Sequence, residues 1–164
     1  MVLAIQCAVC CLVFTAAILP AQFKDPMSMI MSYPPAIIKR VEELPQYQGI
    51  VRQREKAHLI KKLGGLVVFV ALFAAVAYLS GCKRWGTAFI HVFTLFAAVN
   101  LYDLVVLDWG VFCHSRRLRI AGTEDMDKAY KDYGFHIRGA VVGFILGAVV
   151  ASLSGGVVHL ISSV

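Results

Sequence analysis

Residues 100–114 read NLYDLVVLDWGVFCH, a mostly apolar stretch that also carries groups able to do chemistry. Asn100, Asp103 and Asp108 lie within it, and it ends on His114. Carboxylate, amide and imidazole groups accept protons, coordinate cations or anchor a polar ligand. An ionised carboxylate within a bilayer is costly and normally faces the interior of a helix bundle or water. Asp103, with Asn100 beside it, is therefore the leading candidate for a site residue.

Helical geometry separates the two aspartates if this stretch is a regular α-helix. At about 100° per residue, Asn100, Asp103 and His114 share one face. Asp108 then lies roughly 140° around the axis from Asp103 and about 7.5 Å further along it. The sequence thus predicts no carboxylate pair on one face. Asp108 is expected near the headgroups, beside Trp109, where a structural role is favoured and ligand binding is the alternative.

Two arginines, Arg116 and Arg117, follow the stretch and could hold an anionic headgroup or a phosphate. The predicted ligand-binding residues are Asn100, Asp103, Asp108, His114, Arg116 and Arg117. The alternative is structural, with Asp103 locked to a basic residue of a loop.

A second set of residues combines thiols with imidazoles, which suit zinc, copper or haem. Its members are Cys7, Cys10, Cys11, His91 and His159. The cysteines lie in an apolar run, where cysteine behaves as a small hydrophobe. They are therefore weak candidates, no metal site is predicted, and the cofactor stays undetermined. His58 and His136, in charged segments, are expected on a solvated surface.

The elements that position these residues are membrane helices. The chain has 164 residues, 59% hydrophobic and 16% charged, against roughly 25% charged in soluble domains. Four apolar stretches are long enough to cross a bilayer, which takes about 20 helical residues. They are residues 2–19, 64–81, 86–107 and 139–163. The sequence predicts an all-α integral membrane protein, a four-helix bundle in one domain, 1–164, with loops 20–63 and 108–138.

The basic residues predict the orientation. Of the 16 lysines and arginines, eight lie in residues 20–63 and six in 108–138. The positive-inside rule places these loops in the cytoplasm and both termini outside, as in a bacterial inner membrane. The net charge of +6 then favours anionic lipids at the cytoplasmic face, and no nucleic acid is predicted as a partner.

The first loop contains a short amphipathic helix over residues 35–44. Pro35 can begin it and Pro45 must end it. Ile37, Ile38 and Val41 share one face, so the helix is predicted to lie on the cytoplasmic surface of the membrane.

The last apolar stretch carries small residues at every fourth position. These are Gly139, Gly143, Gly147, Ala151 and Gly155. Small residues at this spacing let two helix backbones approach closely in lipid. The partner could be another helix of the chain, a second copy in a homo-oligomer, or another membrane subunit.

Two classes of function fit these features. The first is a ligand-binding, transport or assembly subunit with a polar pocket around Asp103 open to the cytoplasm. The alternative is a membrane-embedded enzyme acting on a lipid or another amphiphile at the cytoplasmic leaflet. A redox, metal or haem site among the outer cysteines and histidines is a third reading with less support.

Overall fold

The computed structural model describes residues 1–163, with side chains for all of these except 55–63. Within that range the chain is helical and has no β-strand, which confirms the all-α prediction. The helices are α1 (Val2–Lys24), α2 (Pro35–Glu43), α3 (Ile50–Leu79), α4 (Trp85–Tyr102), α5 (Asp127–Tyr130) and α6 (Tyr133–Ser163). Short 3₁₀ turns at Pro26–Ser32, Pro45–Tyr47 and Arg116–Leu118 connect them.

Three helical stretches are long and apolar enough to span a membrane: Val2–Lys24, Trp85–Phe112 and Asp127–Ser163. A shorter apolar segment, Gly64–Leu79, forms the second half of α3. Large apolar side chains lie exposed along these helices, as on Ile90 of α4 and Ile145 of α6. Such exposure is unfavourable in water and suits a lipid environment. Within the described residues the protein is thus helical, with three helices that could span a membrane.

The long helices run in alternating directions. Gln6 of α1 donates a hydrogen bond to Ser80 beyond α3 over 2.8 Å, at the end where both termini lie. At the opposite end, Arg54 of α3 pairs with Asp25 after α1 over 3.1 Å. We call the end of the molecule with the two chain termini the tail end. The opposite end is called the loop end, because the long connections between helices lie there.

The helix α4 continues beyond Tyr102 as a π-helical segment, Asp103–Phe112. The backbone N–H of Cys113 donates to the carbonyl of Asp108, five residues earlier, over 2.9 Å. Bonding from i to i+5 stacks residues five apart, whereas an α-helix stacks residues three or four apart. The prediction that Asp103 and Asp108 occupy different faces was therefore wrong, since it assumed a regular α-helix.

The small-residue row of α6 packs against α4 of the same chain, with Ala151 fully buried. A Cβ atom added at Gly147 would lie 2.6 Å from the Phe96 ring, and one at Gly155 would lie 2.9 Å from the Trp85 carbonyl oxygen. Gly139 differs, because a Cβ there would meet nothing within 4 Å. Gly143, Gly147, Ala151 and Gly155 thus lie in the contact between α6 and α4, and Gly139 lies outside it.

The helix α2 matches its predicted bounds to within a residue, but its apolar face does not face lipid. Ile37 and Val41 are fully buried in a cluster at the loop end, which also contains Tyr33, Leu118 and Tyr130. The Tyr33 hydroxyl donates to the carbonyl of Leu118 over 3.0 Å. The protein's own second long loop covers this face, so the prediction that Ile37 and Val41 lie against lipid was wrong.

Candidate functional site

A groove of about 690 Å³ opens at the loop end between the π-helical segment, the start of α6 and the chain around Pro35. Its lining has two chemical parts. The polar part comprises Ser32, Asn100, Asp103, Asp108, His136 and Arg138. The apolar part includes Leu104, Phe135, Val142 and Leu146. The groove is therefore amphipathic, because charged and apolar side chains both line it.

The best-defined contact in the groove joins α6 to the π-helical segment. His136 Nδ1 lies 3.0 Å from Asp108 Oδ2, and the His136 side chain is 3% exposed. The carboxylate accepts the Nδ1–H bond, so it fixes the orientation of the imidazole ring. His136 was expected on a solvated surface, and that was wrong. The ring packs against Phe112 with the centroids 5.2 Å apart.

The second nitrogen of this imidazole has no partner. His136 Nε2 is buried and makes no hydrogen bond among the described residues. A buried polar atom without a partner is uncommon and calls for an explanation. His136 lines the groove, but protein atoms cover its Nε2, so a ligand in the groove reaches this atom only if the ring is uncovered.

Asp103 lines the same groove and is placed there by the π-helical geometry. Within the described side chains it makes no hydrogen bond and no ion pair. A partly buried carboxylate without a partner is costly, because it has lost water and gained no donor. The arrangement leaves an acceptor facing the groove, five residues before the carboxylate that holds His136.

Asn100 has a structural task as well as a place in the lining. Its Nδ2 donates to the Ala140 carbonyl of α6 over 2.9 Å. A Cβ added at Gly143 would collide with the Asn100 amide. Asn100 therefore fixes the spacing of α4 and α6 beside the groove.

Among the described residues that line the groove, Arg138 carries a permanent positive charge. Its guanidinium lies 3.9 Å from Asp132, and the Arg138 side chain is 73% exposed. An exposed ion pair of this length contributes little to stability. The side chain is consequently free to bind a ligand at the mouth of the groove.

Three of the predicted site residues lie elsewhere. His114 is exposed, with Nδ1 2.8 Å from the carbonyl oxygen of Trp109. Arg116 and Arg117 are exposed on a 3₁₀ turn and do not line the groove. The helix ends at Phe112, so the chain turns away before these residues.

Sequence reasoning missed His136 and Arg138. A usable signal was present, since His136 and Ala140 are one turn apart at the start of an apolar helix. A helix face that opens with a histidine and continues with small residues points toward a neighbour. The predicted loop, which ran to residue 138, concealed this because α6 begins at Tyr133.

The cysteines and histidines near the tail end do not assemble into a site. All five cysteines are free thiols. Among the residues that the structure describes, no three potential metal ligands from His, Cys, Asp and Glu come together. Cys7 and Cys10 pack against the apolar cluster formed by α3, α4 and α6. Their surroundings are those of small apolar residues.

Comparison of the chain with protein-family models, with curated proteins and with solved structures gives no match. Function is therefore inferred from the groove itself. Its groups can accept a cation at Asp103, bind an anion at Arg138 and enclose an apolar segment beside Leu104.

Proposed function

We propose that this protein is a four-span membrane protein that binds an amphiphile in the groove, as a ligand-binding subunit without its own catalysis. One observation carries the proposal: the polar groups of the groove adjoin an aliphatic wall that continues onto the exposed surface of α6. Val142 and Leu146 line the groove and are still 55% and 48% exposed. A ligand with a polar head and an apolar tail matches both parts.

The dimensions of the groove support this proposal. Ligand pockets in proteins range over roughly 300–1,000 Å³, and this one measures about 690 Å³. Asp108, His136 and Arg138 lie toward the loop end of the π-helical segment and of α6, whereas Asn100 and Asp103 lie inside the apolar stretch Trp85–Phe112. A polar head bound there would extend inward from the loop end, with its tail in the acyl layer beside Leu146.

The orientation belongs to the same proposal. Together, the two long loops carry most of the basic residues. By the positive-inside rule this supports a loop end in the cytoplasm and an inner, plasma-type bacterial membrane. Gly64–Leu79 would then cross as the fourth span. This apolar segment is short, but α3 extends it as a helix toward the loop end, as far as Ile50. Arg116 and Arg117, which are exposed, suit anionic lipids at this surface.

A membrane enzyme is the second candidate, favoured by the Asp108–His136 pair. A carboxylate that holds one imidazole nitrogen leaves the other as a general base. Here, however, Nε2 of His136 is buried against protein atoms. Proton transfer would require the ring to be uncovered first, so binding without catalysis agrees better with the geometry.

The test fills the groove and leaves the fold intact. Gly139 lines the groove, and a Cβ there meets nothing within 4 Å, so Gly139→Phe adds a ring in open space. Gly156 on the same helix is equally open but lies outside the groove, which makes Gly156→Phe the matched control. Each protein is purified in mild detergent and its bound molecules are identified by native mass spectrometry.

We expect the unchanged protein and Gly156→Phe to retain the same amphiphile and Gly139→Phe to lose it. Equal retention by all three proteins would show that the groove is not the binding site. If the purified protein converts the retained amphiphile to a product, and His136→Gln abolishes this conversion, the protein is a membrane enzyme and not a binding subunit.

A further inference from the structure

We infer that the headgroup bound in the groove is zwitterionic, with a primary ammonium held by Asp103 and a phosphodiester held by Arg138. An ethanolamine phospholipid has this chemistry. The inference rests on the proposed function and adds the chemical class of the ligand. It depends on which charged groups of the groove already pair with another described residue and which do not.

The ammonium assignment follows from the two carboxylates. Asp108 is committed to His136, whereas Asp103 has no partner among the described side chains. A partly buried carboxylate that faces a groove is stabilised by a cation that also donates hydrogen bonds. A primary ammonium supplies a full charge and N–H donors at once.

The phosphate assignment follows from Arg138. Among the described residues of the lining, Arg138 is the one with a guanidinium group. A guanidinium binds phosphate through paired N–H donors. Its ion pair with Asp132 is long, at 3.9 Å, and exposed, so it can be exchanged for a phosphate. Arg138 lies on the first turns of α6, where the helix passes from the loop end into its apolar part.

Two other headgroups fit less well. A purely anionic headgroup would bring no positive charge to Asp103 and would add a second negative charge beside it. A quaternary ammonium has no N–H to donate and is bound in proteins by a cage of aromatic rings. The described lining of the groove has two aromatic rings, Phe135 and the almost wholly buried His136, which do not form a cage.

The test measures lipid preference directly. Protein stripped of lipid in detergent is mixed with dioleoyl phosphatidylethanolamine, phosphatidylcholine or phosphatidylglycerol, which differ only in the headgroup. Native mass spectrometry reports the apparent affinity of each. We expect the ethanolamine lipid to bind at least about tenfold more tightly than the other two, as the loss of one charge-assisted hydrogen bond implies.

Three variants assign the two contacts. Asp103→Asn should reduce the affinity for the ethanolamine lipid to that for the choline lipid, while Asp103→Glu should keep the preference. Arg138→Gln should weaken all three lipids alike, because each contains a phosphate. Arg84→Gln, which changes an exposed arginine at the tail end and outside the groove, should alter none of the ratios and serves as the control.

The outcomes separate this inference from the function on which it rests. Equal affinities for the three lipids, all lost in Gly139→Phe, would overturn the zwitterionic headgroup and leave the groove as the lipid site. A preference for phosphatidylglycerol would overturn it as well. Binding that survives Gly139→Phe would overturn the proposed function itself.

Discussion

At the scale of single residues, the Asp108–His136 contact is a feature that neither residue indicates alone. Each was recognisable in the sequence as ionisable. Their partnership depends on the register of two helices separated by a loop, which no local pattern encodes. The contact is short, at 3.0 Å, and one partner is almost wholly buried. It therefore anchors the start of α6 to the π-helical segment.

Removing one partner of this contact should destabilise the protein. Asp108→Ala leaves the His136 Nδ1–H buried without an acceptor, which costs about 1–3 kcal/mol. Asp125 is the control, because its contact with Arg40 is 3.8 Å long and its side chain is 71% exposed. Asp125→Ala should change stability by less than about 0.5 kcal/mol.

Thermal unfolding in detergent, followed by circular dichroism, compares the two variants. Equal melting temperatures for Asp108→Ala and Asp125→Ala would show that the buried contact contributes nothing specific.

At the scale of elements, the sequence predicted the helices well and one helix geometry wrongly. The small-residue spacing on α6 and the proline bounds of α2 are local signals, and the helices they predicted are there. The π-helical segment was not foreseeable from hydrophobic periodicity, because an apolar run facing lipid on several sides shows no period to measure. Segments of this kind are frequent at functional sites, and here the geometry brings Asp103 into the groove.

The packing of α6 on α4 leads to a prediction about one glycine. Gly147→Leu adds a side chain whose Cβ would lie 2.6 Å from the Phe96 ring, so the helices must move apart. Overpacking of this kind costs about 1–3 kcal/mol. Gly156→Leu places the same side chain where a Cβ meets nothing within 4 Å.

We expect a lower melting temperature for Gly147→Leu and a nearly unchanged one for Gly156→Leu, both measured in the same detergent. If Gly147→Leu melts like the unchanged protein, the close contact between α4 and α6 is not needed for stability.

At the scale of the whole molecule, composition and charge segregation predicted a helical membrane-type protein and grouped the long loops at one end. They could not show that the two loops fold onto each other. The burial of Ile37 and Val41 comes from Leu118 and Tyr130, more than 70 residues later in the chain. A single amphipathic pattern looks the same whether lipid or protein covers it, so the partner had to come from the structure.

The orientation, and with it the fourth span, can be tested by labelling cysteines from outside intact cells with a membrane-impermeant maleimide. Cys82 lies at the tail end and is partly exposed. Cys113 is unsuitable as the inner reporter, because burial, together with the nearby Asp108, raises the pKa of its thiol to about 11 and keeps it protonated. Ala36, exposed on α2, is the better position.

Cys82 should react in intact cells, and the cysteine of Ala36→Cys only after the membrane is permeabilised, with labelled peptides identified by mass spectrometry. This pattern requires α3 to cross the bilayer, since Ala36 precedes it and Cys82 follows it. Labelling of both positions from the same side would mean that Gly64–Leu79 does not span, leaving three crossings. Labelling of Ala36→Cys alone would reverse the orientation and place the groove outside the cell.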